Sequence, residues 1–181
     1  MTIHYSLITG LSLDFAAMSE TLVVNDVYLS LQGESTFAGL PCVFVRLTAC
    51  NLRCSYCDTA YAFTEGKKWL VNDVITRIHE LAKPYGNGTT SPALPPRLPL
   101  VELTGGEPLL RRGFETLVEG IARIPGIQDL AMTTNGYLFE TRARALRNAG
   151  LRRVSFSLDS LDRENFRQIT GVDALPTVLK S

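Results

Sequence analysis

The stretch C-N-L-R-C-S-Y-C-D-T, residues 50–59, carries three cysteines at the spacing C-x3-C-x2-C. Three thiolates on one short loop can ligate three irons of a cubane [4Fe-4S] cluster, which has four iron sites, so one iron is left without a protein ligand. An open metal site is reactive, as in catalytic zinc, where three protein ligands leave a fourth position to substrate. The spacing therefore predicts an iron–sulfur centre with Cys50, Cys54 and Cys57 as ligands.

A closed zinc site is the alternative, because the chain has one further cysteine, Cys42, and four thiols can bind zinc. Zinc sites usually bring two close pairs, whereas Cys42 lies in the strand-like run C-V-F-V-R-L-T, eight residues before Cys50. Disulfides are also disfavoured, because three cysteines within eight residues cannot cross-link distant parts of a chain of this length. The cluster is favoured, and Cys42 is expected to be a buried thiol that packs as an apolar residue.

Length and composition narrow the class of protein. A chain of 181 residues with 45% hydrophobic residues can bury the core of one domain. Lys plus Arg and Asp plus Glu both number 18, which disfavours a nucleic-acid partner. No apolar run approaches the roughly 20 residues that span a bilayer. The N-terminus lacks the basic segment of a secretory signal, so we expect a cytoplasmic protein without a membrane partner, in a compartment that keeps thiols reduced.

Strands and helices alternate along the chain after residue 20. The pattern predicts strands at 21–31, 43–48, 100–104, 129–134 and 153–158, and helices from Asn72, at 114–124, at 139–149 and after Asp162. This alternation indicates right-handed βαβ units and a parallel sheet. Four βα units are too few to close an eight-fold barrel, so the predicted fold is an α/β, open, partial barrel with its function at the carboxyl ends of the strands.

Two segments fall outside this pattern. Residues 1–20 are left as an unassigned N-terminal extension, and residues 21–181 are assigned to one core. Residues 84–99 carry five prolines with Gly, Thr and Ser, which predicts a mobile surface loop. Asn72 and Asp73 resemble a helix cap and first turn, and Pro84 with Gly86 is expected to end that helix.

A second motif, T-G-G-E-P at residues 104–108, directly follows a predicted strand. Its two glycines allow close approach of backbone to a ligand, and Glu107 can pair with an ammonium group. A glycine-rich turn after a strand can also bind phosphate. However, the pattern G-x-x-x-x-G-K-[ST] is missing and Glu107 would repel an anion, so an ammonium ligand is favoured.

Polar residues also end the next two strands, as T-T-N-G at residues 133–136 and S-F-S-L-D at residues 155–159. Small hydroxyl and amide side chains at neighbouring strand ends can hydrogen-bond a ribose and a carboxylate. Taken alone, T-N-G is equally typical of a turn. Its place in a series of strand-end motifs favours the ligand-binding interpretation.

The cysteine spacing and the G-G-E motif together resemble the radical S-adenosylmethionine (SAM) superfamily. This resemblance implies a [4Fe-4S] cluster whose open iron is chelated by SAM, reductive formation of a 5′-deoxyadenosyl radical, and an electron donor such as flavodoxin or ferredoxin. It implies that the SAM-binding residues are Tyr56, Cys57, Asp58, Gly105, Gly106, Glu107, Asn135 and Ser157.

Residues 24–110 are similar to the 7-carboxy-7-deazaguanine synthase family of the queuosine pathway. The similarity rests on L-Q-G-E at 31–34, A-G-x-P-x-V-F-V-R-L at 38–47, the cysteine loop, and T-G-G-E-P-L-L at 104–110. It implies a lyase that converts 6-carboxy-5,6,7,8-tetrahydropterin to a 7-deazapurine with loss of ammonia, with Mg²⁺ bound at Thr59. The substrate-binding residues that it implies are Leu31, Gln32, Gly33, Glu34, Arg46 and Thr104.

Arg46 also has a rationale of its own, because a guanidinium presents a planar fork that matches a substrate carboxylate. A surface ion pair at a strand end is the alternative for this residue.

Residues 111–181 instead resemble the GTP 3′,8-cyclase family of molybdenum-cofactor biosynthesis. The similarity rests on L-L-R-R at 109–112, D-L-A-M-T-T-N-G-Y-L at 129–138, A-G-L-R-R-V-S-F-S-L-D-S-L-D at 149–162 and F-R-Q-I-T-G at 166–171. It implies that Thr133 contacts GTP and Ser157 contacts SAM. Together the two similarities indicate a hybrid chain.

The synthase is the favoured interpretation because its substrate-facing motifs are nearly complete, whereas the cyclase motif C-x-x-C-M-P is replaced by Cys57-Asp58-Thr59. The substrate is then a small molecule, a pterin or, in the alternative, a purine nucleotide. An inactive iron–sulfur or SAM-binding module is a third hypothesis, suggested by the short barrel. The open edge of such a barrel favours a homodimer.

Overall fold

One six-stranded sheet organises the computed structural model, which describes residues 20–86, 100–127 and 129–181. The strands are β1 (Thr21–Leu31), β2 (Pro41–Leu47), β3 (Lys67–Leu70), β4 (Leu100–Thr104), β5 (Leu130–Thr134) and β6 (Arg153–Phe156). Their spatial order is β3-β1-β2-β4-β5-β6, so the sheet is open and the predicted α/β partial barrel is confirmed.

The sheet is mixed rather than wholly parallel. Strands β2, β4, β5 and β6 are parallel, as the βαβ pattern predicts. Strand β1 runs antiparallel to both β2 and β3. The antiparallel pairing of β1 with β2 follows from the short link between Leu31 and Pro41, since parallel neighbours need a crossover of about a dozen residues or more.

Five helices accompany the sheet: α1 (Val71–Gly86), α2 (Phe114–Ala122), α3 (Phe139–Ala149), α4 (Arg163–Thr170) and α5 (Leu175–Val178). The first three pack on one face, where apolar side chains of the strands and helices form the main core. On β2, Val43, Val45 and Leu47 belong to that core. Because side chains alternate along a strand, Phe44 and Arg46 belong to the opposite face, called the inner face below.

Helices α4 and α5 build a second, smaller core from Phe166, Ala174, Leu175 and Val178. Helix α4 begins where the sequence predicts, because the Asp162 carboxylate accepts the main-chain N–H of Asn165 at 2.7 Å. That bond satisfies one of the free N–H groups of the first turn. No helix within the described residues is long and apolar enough to cross a membrane.

Several local predictions are wrong. Helix α1 begins at Val71, so Asn72 lies inside it; it ends at Gly86, as expected, but it passes through Pro84. Proline removes its own N–H bond but leaves the N–H groups after it free to bond, so a helix can persist for its last turn. Strand β6 ends at Phe156, two residues earlier than predicted.

Some elements were not predicted: β3, α5, and the short 3-10 helices Ala60–Phe63 and Pro108–Leu110. The extension assigned to residues 1–20 lies outside the described residues except for Glu20, and so does the predicted mobile loop from residue 87 onwards.

Candidate active site

A cavity of about 530 Å³ opens beside the carboxyl ends of the parallel strands. Most residues singled out in the sequence line it: Gln32, Gly33, Glu34, Cys50, Cys54, Tyr56, Cys57, Asp58, Thr59, Thr104, Gly105, Gly106, Thr133, Asn135 and Ser157. Five further lining residues were missed: Phe44, Leu52, Phe63, Glu102 and Thr134. The structure therefore brings the three sequence motifs and the L-Q-G-E segment to one place.

The three cysteines of the loop are free, half-buried thiols that face this cavity. The Cys50 sulfur accepts the main-chain N–H of Leu52 at 3.3 Å and the Asn135 amide at 3.8 Å. Such bonds to sulfur stabilise a thiolate and tune a bound cluster. Burial raises the pKa of the Cys50 and Cys54 thiols, so in the free protein they hold their protons until a metal displaces them.

Cys42 does not join the other three. It is fully buried in β2, and burial raises the pKa of its thiol to about 12. From Cys42 to the end of β2 the strand rises roughly 17 Å, at about 3.3 Å per residue. Within the described part of the chain no group of three or more His, Cys, Asp or Glu is placed to hold a single metal ion. The separation of Cys42 from the loop favours the cluster over a four-cysteine zinc site, because cubane ligands bind separate irons and need not converge on one ion.

The glycine turn after β4 packs directly against the start of the cysteine loop. The main-chain N–H of Glu107 donates to the Ala49 carbonyl at 2.7 Å. Gly106 has a φ of 57°, and a Cβ at this position would lie 2.1 Å from the same carbonyl oxygen. Only glycine fits such a contact in the left-handed region. The motif thus holds the loop in place as well as lining the cavity.

The far side of the cysteine loop is held by the C-terminal end of α4. The main-chain N–H groups of Arg53 and Ser55 donate to the carbonyls of Thr170 and Ile169, each at 2.9 Å. Helix ends leave carbonyls without intrahelical partners, and the loop satisfies two of these. The guanidinium of Arg53 also caps the Cys50 carbonyl at 2.8 Å. The loop is therefore fixed from both sides by backbone bonds.

Glu107 is fully buried and does not line the cavity. Its carboxylate accepts from the main-chain N–H of Leu109 at 3.0 Å, the Thr134 hydroxyl at 2.8 Å and the N–H of Asn135 at 2.8 Å. Burial raises the pKa of Glu107, and these hydrogen bonds oppose that rise. Its pairing with an ammonium group stays a prediction, for which these three bonds leave about one of the four lone-pair sites of the carboxylate free.

The T-N-G turn presents Asn135 to the cavity beside the cysteine loop. The Asn135 amide donates to the Asn51 side chain at 2.8 Å, and its oxygen accepts the main-chain N–H of Tyr137 at 3.0 Å. Ser157 lies at the next strand end, where its N–H donates to the Thr134 carbonyl at 2.9 Å. The turn interpretation of T-N-G is confirmed, and ligand binding stays a prediction that the position of Asn135 at the cavity supports.

Tyr56 and Asp159 connect the cysteine loop to the segment after β6. The Tyr56 hydroxyl donates to the Asp159 carboxylate, and burial together with this bond raises the pKa of the tyrosine. The Tyr56 ring remains half exposed at the cavity. An aromatic ring in this position can stack against a purine base.

Asp58 and Thr59 supply hard oxygen donors at the edge of the cavity. The Thr59 hydroxyl donates to the Asp58 carboxylate at 3.0 Å. One carboxylate and one hydroxyl beside an open cavity suit Mg²⁺, which keeps several waters or substrate oxygens among its ligands. These residues fit the Mg²⁺ predicted at Thr59.

Two predicted substrate residues lie elsewhere. The Leu31 side chain is 63% exposed and does not line the cavity. The Arg46 guanidinium donates to the Tyr28 hydroxyl at 2.6 Å and lies over the rings of Tyr28 and Tyr61. Its Nε is buried without a partner among the described residues. Arg46 is on the inner face but does not line the cavity, and it bonds to Tyr28 instead of forming the surface ion pair considered as the alternative.

Glu102 was missed, although it is the one charged residue in the apolar strand L-V-E-L-T. Its carboxylate accepts the Thr133 hydroxyl at 2.6 Å and the side-chain amide of Gln32. The amide orientation is set by the main-chain N–H of Glu34, which donates to the Gln32 oxygen at 3.2 Å. A charged residue at an alternating position of a buried strand was the available signal, because such a charge needs partners.

The carboxyl edge of the parallel strands carries a candidate iron–sulfur site. Three thiols, a glycine turn and polar strand ends surround one cavity there, on an open α/β sheet. The chain belongs to the Radical SAM superfamily, whose family model matches residues 45–180. The residues above fit the cluster and the SAM that this family implies.

Relatives in two families share parts of the chain. A GTP 3′,8-cyclase from Thermodesulfovibrio yellowstonii is 41% identical over 134 residues, which are 72% of this chain and 38% of the relative. A 7-carboxy-7-deazaguanine synthase from Koribacter versatilis is 47% identical over 88 residues, 49% of this chain and 33% of the relative. The chain thus spans well under half the length of either relative.

One solved structure that matches part of this chain is that of QueE from Escherichia coli. Its TM-score is 0.47 at 21% identity, and the match covers 65% of this chain and 54% of that chain.

Proposed function

We propose that the chain is the core of a radical SAM lyase that converts 6-carboxy-5,6,7,8-tetrahydropterin to 7-carboxy-7-deazaguanine. The observation that carries this proposal is the convergence of Gln32, Glu34 and Thr104 on the cavity that the three cysteines line. These residues belong to motifs of the synthase family, and the 47% identity to a curated synthase supports the same choice.

The chain's own residues would bind, orient and exclude water around the reactants. Cys50, Cys54 and Cys57 would hold the cluster, which together with SAM supplies the reductive radical chemistry when bound. Tyr56 and Asn135 would contact SAM, and Mg²⁺ at Asp58 and Thr59 would orient the substrate carboxylate. A protein electron donor such as flavodoxin or ferredoxin and a homodimer belong to the same proposal.

GTP 3′,8-cyclisation is the second candidate, because its relatives match more of the chain, 72% against 49%. The charge of the cavity disfavours it. Glu34, Asp58 and Glu102 line the cavity, and no Lys, Arg or His does so among the residues that the structure describes. A triphosphate carries more negative charge than the single carboxylate of the pterin, so the carboxylates of the cavity repel it more strongly.

The test is anaerobic reconstitution with iron and sulfide, reduction, and incubation with SAM and either substrate, with products identified by mass spectrometry. Formation of 7-carboxy-7-deazaguanine from the pterin supports the proposal, and formation of the cyclised nucleotide from GTP overturns it. Formation of 5′-deoxyadenosine with neither substrate consumed would instead indicate an inactive SAM-binding module. Cys50→Ala is the control, because it removes a cluster ligand and should abolish SAM cleavage.

A further inference from the structure

Glu102 is the charged side chain on the inner face whose role the sequence motifs leave open. It lies in β4 directly across from Phe44 of β2, its partner in the parallel register. Both side chains line the cavity. The Phe44 ring stacks on Tyr28 with centroids 5.4 Å apart and planes 19° from parallel, which fixes its orientation. A flat aromatic face and a carboxylate therefore stand side by side.

The Glu102 carboxylate has acceptor capacity to spare. One oxygen accepts the Thr133 hydroxyl and the other accepts the Gln32 amide, so the protein uses one bond on each oxygen. An ionised carboxylate offers about four lone-pair sites, which leaves roughly one per oxygen for a ligand. The two protein donors also hold the carboxylate in one orientation.

No cation of the described residues neutralises Glu102. The Arg46 guanidinium on the same face is bound to Tyr28, and Arg153 on β6 pairs with Asp129 at 3.0 Å. A partly buried carboxylate in this state favours a ligand with two adjacent N–H donors, since bidentate and charge-assisted hydrogen bonds are the strong ones.

We infer that Glu102 is a specificity residue that reads the amino-pyrimidinone edge of the substrate. Its two oxygens accept from the 2-amino group and the adjacent ring N–H of a pterin, while the heterocycle lies against Phe44. The inference rests on the proposed function for its ligand. Guanine presents the same edge, so Glu102 does not discriminate between the pterin and GTP. That discrimination comes from the charge of the cavity.

The experiment compares ligands with and without the 2-amino group. Reconstituted protein is titrated calorimetrically, under anaerobic conditions with SAM, with 6-carboxy-5,6,7,8-tetrahydropterin and with its 2-desamino analogue. Wild-type protein should bind the analogue at least about tenfold more weakly, and Glu102→Gln should lose most of that discrimination. Glu119→Gln, on the exposed surface of α2, is the matched control and should keep it.

Equal binding of the two ligands by the wild-type protein overturns the inference, and that result needs no variant to fold. Glu102→Gln with wild-type discrimination overturns it as well. A SAM-dependent change in the electron paramagnetic resonance signal of the variant's cluster shows that the rest of the site is intact.

Failure of the proposed function looks different. In one such outcome the protein binds GTP but not the pterin, and inosine triphosphate binds more weakly than GTP only when Glu102 is present. The lyase assignment is then wrong, while the role of Glu102 stands. If the wild-type protein binds and converts the pterin without regard to the 2-amino group, the lyase assignment stands and the role of Glu102 falls.

Discussion

The main-chain N–H of Asn135 donates to the buried carboxylate of Glu107 over 2.8 Å, so the turn after β5 is fixed to the turn after β4. Thr134 and Leu109 donate to the same carboxylate, at 2.8 and 3.0 Å. One side chain thus satisfies three donors in the wall behind the cavity, and the two strand-end motifs form one unit.

Replacing Glu107 should destabilise the protein strongly. Glu107→Ala leaves these donors buried without an acceptor, and we expect the free energy of unfolding to fall by about 3 kcal/mol. Urea denaturation followed by circular dichroism measures this. Glu119→Ala, in an exposed pair with Arg123, is the control and should change stability by no more than about 0.5 kcal/mol. Equal stability of the two variants would contradict the role given to Glu107.

Gly106→Ala should displace the cysteine loop. The new Cβ would lie 2.1 Å from the Ala49 carbonyl oxygen and the residue would keep a positive φ, so strain and overpacking together should cost about 3 kcal/mol. Gly33→Ala is the matched control for stability, because a Cβ there meets nothing within 4 Å. Thermal unfolding of both variants tests this, and a Gly106→Ala protein as stable as the Gly33→Ala protein would rule out the tight contact.

Replacing each of the four cysteines in turn should distinguish the three cluster ligands from Cys42 by the amount of metal retained. Cys50→Ala, Cys54→Ala and Cys57→Ala should each lose most of the iron and sulfide that the wild-type chain retains after anaerobic reconstitution, because each removes a thiolate facing the cavity. Cys42→Ala should retain both, since Cys42 is buried in β2. Loss of metal from a folded Cys42 variant would show instead that Cys42 is also a ligand.

The ion pair between Arg142 and Glu115, which joins α3 to α2, should make stability depend on pH. Burial raises the pKa of Glu115, but the hydrogen bond and charge of Arg142 outweigh it and the net pKa is lowered. A carboxyl with a lowered pKa in the folded state stabilises above its unfolded pKa, and that contribution disappears as pH falls through the folded pKa.

The free energy of unfolding should therefore decrease less on acidification in Glu115→Gln than in wild-type protein. At neutral pH the variant should be less stable by about 1 kcal/mol, a modest value because the pair is partly exposed. Denaturation curves between neutral pH and the acid range, compared for both proteins, measure the difference. Parallel pH profiles would mean that this pair contributes nothing.

Sequence patterns located those parts of the fold that depend on nearby residues. The helix over Phe139–Ala149 follows from its own periodicity, and the start of α4 follows from the bond between Asp162 and Asn165. Strand β3 was missed because K-K-W-L has no alternation of its own and pairs with Thr21–Val24, more than forty residues earlier.

The site shows the same division between local and distant causes. The cysteine loop and T-G-G-E can be recognised as short motifs, and both line the cavity. The hydrogen bonds of Glu102 depend on Gln32, which follows β1, and on Thr133 of β5, and the position of Arg46 depends on Tyr28. Such partners meet only after the sheet has formed, so no short stretch of sequence encodes them.

The hydrogen bonds between α4 and the cysteine loop should control how long the cluster is retained. Phe166 is 2% exposed in the small core under α4, and Phe→Ala changes in cores cost about 3–5 kcal/mol. Because this core is separate from the main one, Phe166→Ala should open α4 locally before the whole chain unfolds. The carbonyls of Thr170 and Ile169 would then release Arg53 and Ser55.

Iron loss to an excess of chelator, followed anaerobically by absorbance, should accordingly be faster in Phe166→Ala, on the order of tenfold for each 1.4 kcal/mol of lost local stability. Leu161→Ala removes a side chain that is 74% exposed just before α4 and should lose iron at the wild-type rate. If the two variants release iron equally fast, the bonds from α4 do not restrain the loop, and the contacts of its other side with Glu107 and Asn135 are sufficient to hold it.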